Sequence, residues 1–172
     1  MRAHLVILPL AGVLSLAAAC GSSTPASSPA AGGSSRVAAA SPGAGAVTGL
    51  KLGTTSLGKV VTDQNGLTLY LVTKDTRGTS KSACTGPCLS AWPPALAGAS
   101  LPTLDGVSGQ VATIQAPGGG KRVTLDGWPL YYYVKDRAAG DVTGQDVQGV
   151  WFVVDASGKA MTAAAQAPAP GY

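Results

Sequence analysis

The stretch Leu130-Tyr131-Tyr132-Tyr133-Val134-Lys135-Asp136 has an earlier counterpart in the chain, and this pair decides the fold. The counterpart reads Leu69-Tyr70-Leu71-Val72-Thr73-Lys74-Asp75 and lies 61 residues upstream. A turn sequence precedes each copy, Asn65-Gly66 in the first and Asp126-Gly127 in the second, so Gly, Leu, Tyr, Lys and Asp recur at fixed offsets. This many matches within a short window indicate a duplicated structural unit.

Strand signals around the two copies predict a mainly β domain. Apolar and β-branched residues flank a turn within 59–72 and again within 110–125, which predicts two hairpins. A further apolar strand is expected within 149–155, whereas helical periodicity is weak beyond the first part of the chain. We therefore expect a small sandwich or partly open barrel built from two related β repeats, at about 57–100 and 118–158.

Side-chain alternation along the copies separates two faces of each strand. In the second copy Tyr131, Tyr133 and Lys135 share the face opposite the expected leucine-bearing core face. Tyr70 and Lys74 share the corresponding face of the first copy. Since this face mixes aromatic rings with lysine, we expect it to be half exposed.

The repeated Tyr and Asp have three interpretations. In the first, the Tyr ring is buried with a partner for its hydroxyl group, and the Asp caps the following turn. In the second, the Tyr–Lys face binds a planar or sugar-like ligand. In the third, a Tyr ligates a haem, although we expect no cofactor. The candidate ligand or motif residues are Tyr70, Asp75, Tyr131, Tyr133, Lys135 and Asp136.

The first 19 residues have the form of an export signal. Arg2 begins a short basic start, an apolar run covers 5–19, and small residues then precede Cys20. A Cys in this position resembles a bacterial lipobox, although the usual Leu lies one residue further from it, at Leu16. We expect residues 1–19 to be removed and Cys20 to carry acyl chains such as palmitate. An ordinary secretory signal with a chance Cys is the alternative.

The next segment predicts a tether. Residues 20–48 consist almost entirely of Ala, Ser, Gly, Pro and Thr after Cys20, a composition that cannot offset its chain entropy by burial. We expect a disordered tether there, a folded domain at 49–160 and a flexible tail at 161–172.

The composition excludes several classes of function. All 8 acidic residues are Asp, and the only His, His4, lies in the expected signal. A mature chain without His has no Ser-His-Asp triad, Cys-His pair or His-based metal site. We therefore assign no catalytic residue and no metal ligand. A net charge of +4 without a long basic cluster gives no reason to expect nucleic acid as a partner.

The Tyr-x4-Asp spacing resembles a family of secreted bacterial repeat lipoproteins with the signature Tyr-x-(Phe/Trp/Tyr)-x-x-Asp. The segment 131–136 matches the full signature, whereas 70–75 has Val72 at the aromatic position. The segments 84–88 and 92–94 also look like those of the family. The resemblance implies a membrane-anchored protein of tandem repeats, for which no biochemical activity is established.

Two cysteines remain beyond Cys20. Outside the cytoplasm, Cys84 and Cys88 are expected to form a disulfide bond. It is either a structural staple of the loop that contains it or a redox-active pair.

These observations lead to two hypotheses on function. The first is a non-enzymatic binding or interaction module, anchored by lipid to the outer face of the bacterial cytoplasmic membrane, whose partner is an unknown small molecule or envelope protein. The alternative is an extracytoplasmic thiol-redox or electron-transfer protein that uses Cys84 and Cys88. Whether the protein is an enzyme is left open, and the absence of recognisable catalytic residues from the sequence argues against an enzymatic activity.

Overall fold

The computed structural model describes residues 45–162. The expected export signal, the lipidated Cys20, most of the tether and nearly all of the tail lie outside the described residues. Among residues 45–162, no helix has both the length and the apolar character needed to cross a membrane.

The described chain is mainly β and contains two related repeats, as the sequence predicts. Its strands form three small sheets, with orders β2-β1-β4, β3-β8 and β5-β6-β7, and within residues 45–162 they form no closed barrel. The strands are β1 Gly49–Thr55, β2 Gly58–Asp63, β3 Tyr70–Val72, β4 Thr103–Asp105, β5 Val111–Gln115, β6 Lys121–Leu125, β7 Trp128–Pro129 and β8 Trp151–Val153. One helical turn, α1, covers Cys88–Ala91, and a 3₁₀ turn covers Val147–Gly149.

The predicted hairpin at 110–125 is present. Within 59–72 the chain does turn back, and Leu69 donates its N–H to Val61, but strand β3 pairs with β8 and not with β2. Strands β5 and β6 pair antiparallel across the glycine-rich turn at 117–120. The β6–β7 connection is a two-residue turn in which Asp126 and Gly127 both have positive φ, of 49° and 81°. This is the geometry that Asp-Gly favours in hairpins.

Strand exchange between the repeats is the main feature of the topology. Strand β3 of the first repeat pairs antiparallel with β8, the last strand of the second repeat. In return, Ala95 near the end of the first repeat donates its N–H to Leu130 and accepts one from Val123, at 3.0 and 2.8 Å. Tyr70 and Tyr131 lie at the centre and exchange both backbone hydrogen bonds, each 2.9 Å long. Each repeat therefore completes the other.

Two hydrophobic clusters fill the interior. The first is aliphatic and includes the leucines of the predicted core face, among them Leu69, Leu71 and Leu130. The second is aromatic and includes Tyr70, Tyr131, Tyr133, Trp92 and Trp151. The strands that bear the repeated motif separate the two clusters, so both of their faces are buried.

The folded region extends beyond the expected 49–160 at both ends. Val47 is fully buried and donates its N–H to the Leu96 carbonyl oxygen at 2.7 Å. Met161 is also buried and donates its N–H to Val153 at 2.9 Å. The residues beside Val47 and Met161 in the sequence are mostly small, so the sequence gives no sign that these two side chains belong to the core.

Candidate functional site

The repeated Tyr and Asp side chains pair across the repeats rather than within them. The Tyr70 hydroxyl group donates to Asp136 Oδ2 at 2.6 Å, and the Tyr131 hydroxyl group donates to Asp75 Oδ2 at 2.7 Å. All four residues are buried, with Asp75 5% exposed and the others less. The motif therefore forms two reciprocal contacts at the interface between the repeats.

The loop after each Asp folds back to complete these contacts. Asp136 Oδ1 accepts hydrogen bonds from Thr143 N and Oγ1 at 3.0 and 2.5 Å, and the next residue, Gly144, donates its N–H to the Tyr70 hydroxyl oxygen. In the other repeat, Ala83 N donates to Asp75 Oδ1 at 2.6 Å. Each carboxylate thus orders its own loop with one oxygen and holds the other repeat with the second.

Ser82 completes the Asp75 side of this arrangement. Its Oγ atom lies 2.5 Å from the Tyr131 hydroxyl oxygen and also donates to the Cys84 carbonyl oxygen at 3.1 Å. This side chain links the Tyr–Asp contact directly to the cysteine segment that follows.

A buried arginine makes the two Tyr–Asp contacts unequal. Arg122 is fully buried, donates from Nη1 to the Tyr131 hydroxyl oxygen at 2.9 Å and places its guanidinium 4.6 Å from the centre of that ring. Its Nε and Nη2 atoms have no hydrogen-bond partner among the described residues. By strand pairing, the corresponding position of the first repeat is Val60, which is buried in the aromatic cluster. The Tyr131–Asp75 contact therefore has a neighbouring cation where the first repeat has an aliphatic side chain.

The tyrosine hydroxyl groups are held in their neutral form. Burial raises the pKa of Tyr70 well above its ordinary value, and the hydrogen bond to Asp136 raises it further. Burial also raises the pKa of Tyr131, because the hydrogen bonds and charges around it do not offset desolvation. Hydroxyl groups so resistant to ionisation are poor general bases and poor nucleophiles near neutral pH.

A third Tyr–Asp contact lies in the aliphatic cluster. The Tyr132 hydroxyl group donates to Asp63 Oδ2 at 3.0 Å, while Asp63 Oδ1 accepts the N–H groups of Asn65 and Leu67. Burial and the Asp63 carboxylate raise the pKa of Tyr132. This contact was not predicted from the sequence, although an Asp two residues before Asn-Gly, at the first position of the turn, is a recognisable turn cap.

The expectation that the Tyr–Lys face is half exposed is wrong. Trp92 and Trp151 stack on each other with their ring centres 3.8 Å apart. Tyr133 also stacks on Trp92, with the two ring centres 4.2 Å apart. These rings cover the face, leaving Tyr131 fully buried and Tyr133 8% exposed. Of the candidate residues, only Lys135 is exposed. The contacts favour the packing interpretation of the motif.

The cysteine segment is the candidate site that remains accessible. Cys84 and Cys88 form a disulfide bond with their Cα atoms 5.3 Å apart. They line a surface hollow of about 130 Å³. The side chains of Lys74, Gln148 and Trp151 also line this hollow.

A second, larger hollow lies on the segment between the repeats. It has a volume of about 290 Å³ and is lined by residues 97–101, by Ala112 and Thr113 of β5, and by Lys121. Leu101, which lines this hollow, is 53% exposed, and Leu104 in strand β4 is 42% exposed. Among residues 45–162, no group of three or more His, Cys, Asp or Glu side chains is placed to hold a metal ion.

Comparison with known proteins gives one match. A family model, Lipoprotein_15, described as a secreted repeat of unknown function, matches residues 51–96 and 112–155, which together make up just over half of the chain. No curated protein and no solved structure matches the chain. The two matched segments each contain one copy of the Tyr–Asp motif.

Proposed function

We propose that the chain, which belongs to this family of secreted repeats of unknown function and lies outside the cytoplasm, is a lipid-anchored interaction module. In this proposal Cys20 carries the acyl chains, and the Ala/Ser/Gly/Pro segment holds the β domain away from the outer face of the bacterial cytoplasmic membrane. Acyl chains contribute about 0.8 kcal/mol per buried methylene, so several of them give stable anchoring.

One observation carries the non-enzymatic part of this proposal. The repeated polar side chains are consumed in contacts between the repeats, as in Tyr70–Asp136 and Tyr131–Asp75, where they are inaccessible to a substrate. Because the Tyr and Asp side chains of the motif stabilise the fold, the outer surface of the domain remains available for contact with another protein. The exposed Leu101, which lines the larger hollow, is the best candidate for contact with an envelope protein.

The mass of the protein extracted gently from its own membrane tests the proposal. Denaturing mass spectrometry is expected to show acyl chains on Cys20, whereas a Cys20→Ala variant is expected to lose them and to leave the membrane fraction. A mature chain of unmodified mass that remains soluble would exclude the anchor.

The interaction surface is tested by crosslinking in cells. A photocrosslinking residue at position 101 is expected to capture an envelope protein, and the same residue at the exposed position 135 serves as the control. If both positions capture the same set of proteins, the surface at Leu101 has no special role.

A thiol-redox protein is the second candidate function. It is favoured by the accessible hollow at Cys84–Cys88, since structural disulfides are usually shielded. This function requires a reduction potential above about −300 mV, below which structural disulfides usually lie. Equilibration of the folded protein with thiol buffers gives that potential, and a disulfide that is reduced only when the domain unfolds excludes the redox function.

A further inference from the structure

We propose that the Cys84–Cys88 disulfide is a thiol-exchange site, at which a dithiol protein outside the cytoplasm attacks Cys88 while Lys74 stabilises the thiolates formed in the hollow. This inference rests on the second candidate function and assigns to it a point of attack, an assisting cation and a class of partner.

This disulfide contributes little to holding the fold. It joins residues only four positions apart. The same segment has backbone hydrogen bonds of its own, from Cys88 N to Thr85 at 3.2 Å and from Trp92 N to Cys88 at 2.9 Å. The bond can therefore open without separating strands or repeats.

The two cysteines are unequally exposed. Cys84 is 2% exposed and packs in the aromatic cluster, whereas Cys88 is only partly buried and packs against the outside of that cluster. An incoming thiolate must approach a sulfur atom from solvent, through the hollow of about 130 Å³ that both residues line. Cys88 is the sulfur it reaches first, and Cys84 is the leaving group.

Lys74 is the cation of this site. It is exposed and lines the same hollow as the two cysteines. A neighbouring cation favours the thiolate form of both the attacking and the leaving sulfur. The repeated motif supplies a comparison, because Lys135 holds the corresponding position in the second repeat, which contains no cysteine.

The exchange is balanced in atoms and electrons. The partner's first thiolate forms a bond to Cys88 Sγ, the Cys84–Cys88 bond breaks, and Cys84 leaves as a thiolate. The partner's second thiolate then attacks the sulfur of the partner's first cysteine in the mixed disulfide, which releases Cys88 as a thiolate. The partner loses two electrons and becomes a disulfide, while Cys84 and Cys88 gain those electrons and take up the partner's two protons.

Variants of the full-length protein that keep only one of Cys84 and Cys88 test the point of attack, with oxidised glutathione as the probe and peptide mapping to measure modification at that position. Cys84→Ala leaves Cys88 free, and Cys88→Ala leaves Cys84 free. We expect glutathione to modify Cys88 about 10-fold faster than Cys84, because only the accessible thiol reacts readily. Equal rates, or faster modification of Cys84, would overturn the proposal.

Wild-type protein provides a second measurement that does not depend on the folding of these variants. After brief reduction and limited alkylation, peptide mapping is expected to find the first alkyl group on Cys88. In the Cys84→Ala background, Lys74→Gln is expected to slow modification by glutathione about 3-fold at low ionic strength. Lys135→Gln is the matched control and is expected to have no effect; equal effects of the two substitutions would remove Lys74 from the mechanism.

The outcomes separate this inference from the redox function itself. If dithiothreitol fails to reduce the folded wild-type protein, both are wrong. If the folded protein is reduced but neither cysteine is preferred, the redox function stands and the assignment of Cys88 and Lys74 fails.

Discussion

The hydroxyl group of Tyr70 donates a hydrogen bond of 2.6 Å to Asp136, a residue 66 positions away in the other repeat. The reciprocal bond, from Tyr131 to Asp75, spans 56 positions. A motif that looks like a local Tyr-x4-Asp unit thus acts only through its second copy. Removal of one tyrosine hydroxyl group should weaken the contact between the repeats.

Tyr131→Phe is expected to destabilise the domain more than Tyr70→Phe. Without the Tyr131 hydroxyl group, Asp75 loses a donor, and Arg122 loses its only hydrogen bond from the side chain to a described residue. Asp136 keeps both of its bonds from Thr143 when Tyr70 is changed. A hydrogen bond to a charged group contributes about 1.5–3 kcal/mol, so we expect losses near the two ends of that range.

Urea unfolding of the Tyr→Phe variants measures these losses in the free energy of unfolding. Tyr133→Phe is the control, because the Tyr133 hydroxyl group makes no hydrogen bond within residues 45–162. Equal losses in all three variants would mean that ring packing, not the Tyr–Asp hydrogen bonds, determines their stability.

Arg122→Met is expected to destabilise the domain by about 3 kcal/mol, since it leaves the buried Asp75 carboxylate without the cation that shares the Tyr131 hydroxyl group with it. The double variant Arg122→Met, Asp75→Asn should lose less than the sum of the two single variants, because no unpaired charge remains. A double-mutant cycle from urea unfolding measures this coupling. Strict additivity would show that the two charges do not interact through Tyr131.

Gly144→Ala is expected to destabilise the domain by about 1–3 kcal/mol through overpacking. A Cβ atom at Gly144 would lie 2.8 Å from the Trp92 ring and 2.9 Å from the Tyr70 ring, both of which are fixed by aromatic packing. Gly98→Ala is the matched control, because its nearest contact would be an ordinary 3.5 Å to Ala46. Thermal unfolding measures both, and equal melting temperatures for both variants would contradict the close packing around Gly144.

Stability is expected to fall steeply at alkaline pH. The folded state raises the pKa of Tyr70, Tyr131 and Tyr132 above the ordinary value near 10, which applies in the unfolded chain. Below about pH 10 the folded and the unfolded chain both keep the protons of these three hydroxyl groups, so the stability of the folded state is undiminished. Above about pH 10 the unfolded chain releases these protons while the folded chain keeps them, which favours unfolding. Stability should therefore decrease by about 4 kcal/mol for each pH unit above 10.

Tyrosinate absorbance and circular dichroism, followed together during alkaline titration, test this linkage. The absorbance of the three buried tyrosines should appear at the same pH as loss of the β signal. Ionisation of all three before any unfolding would contradict it.

Local features of this fold could be predicted from the sequence, whereas its pairing between repeats could not. The turns at Asn65-Gly66 and Asp126-Gly127 have strong local preferences, so these turns and the duplication are visible in the chain. The alternation of apolar and polar side chains along a strand does not show which other strand pairs with it. The pairing of β3 with β8 could therefore not be predicted. Strand β1 was missed because Gly49 and Gly53 lower its strand propensity.

The candidate site shows the same division. A disulfide between Cys84 and Cys88 follows from their number and compartment, and it is present. Arg122 was not recognised, because a charged residue in an exposed-looking hairpin normally faces solvent. Its burial depends on distant parts of the chain, and so does the covering of Tyr133 by Trp92.

The strand exchange also sets the order in which the molecule can fold. A chain that emerges N-terminus first from an export channel presents Tyr70 and Asp75 long before their partners Asp136 and Tyr131 are available. The first half has no complete core until β8 has followed it, so the folding nucleus must join segments that are far apart in the chain. Folding that waits for such distant contacts is slow, and the emerging half remains open to proteases and chaperones until the last strand arrives.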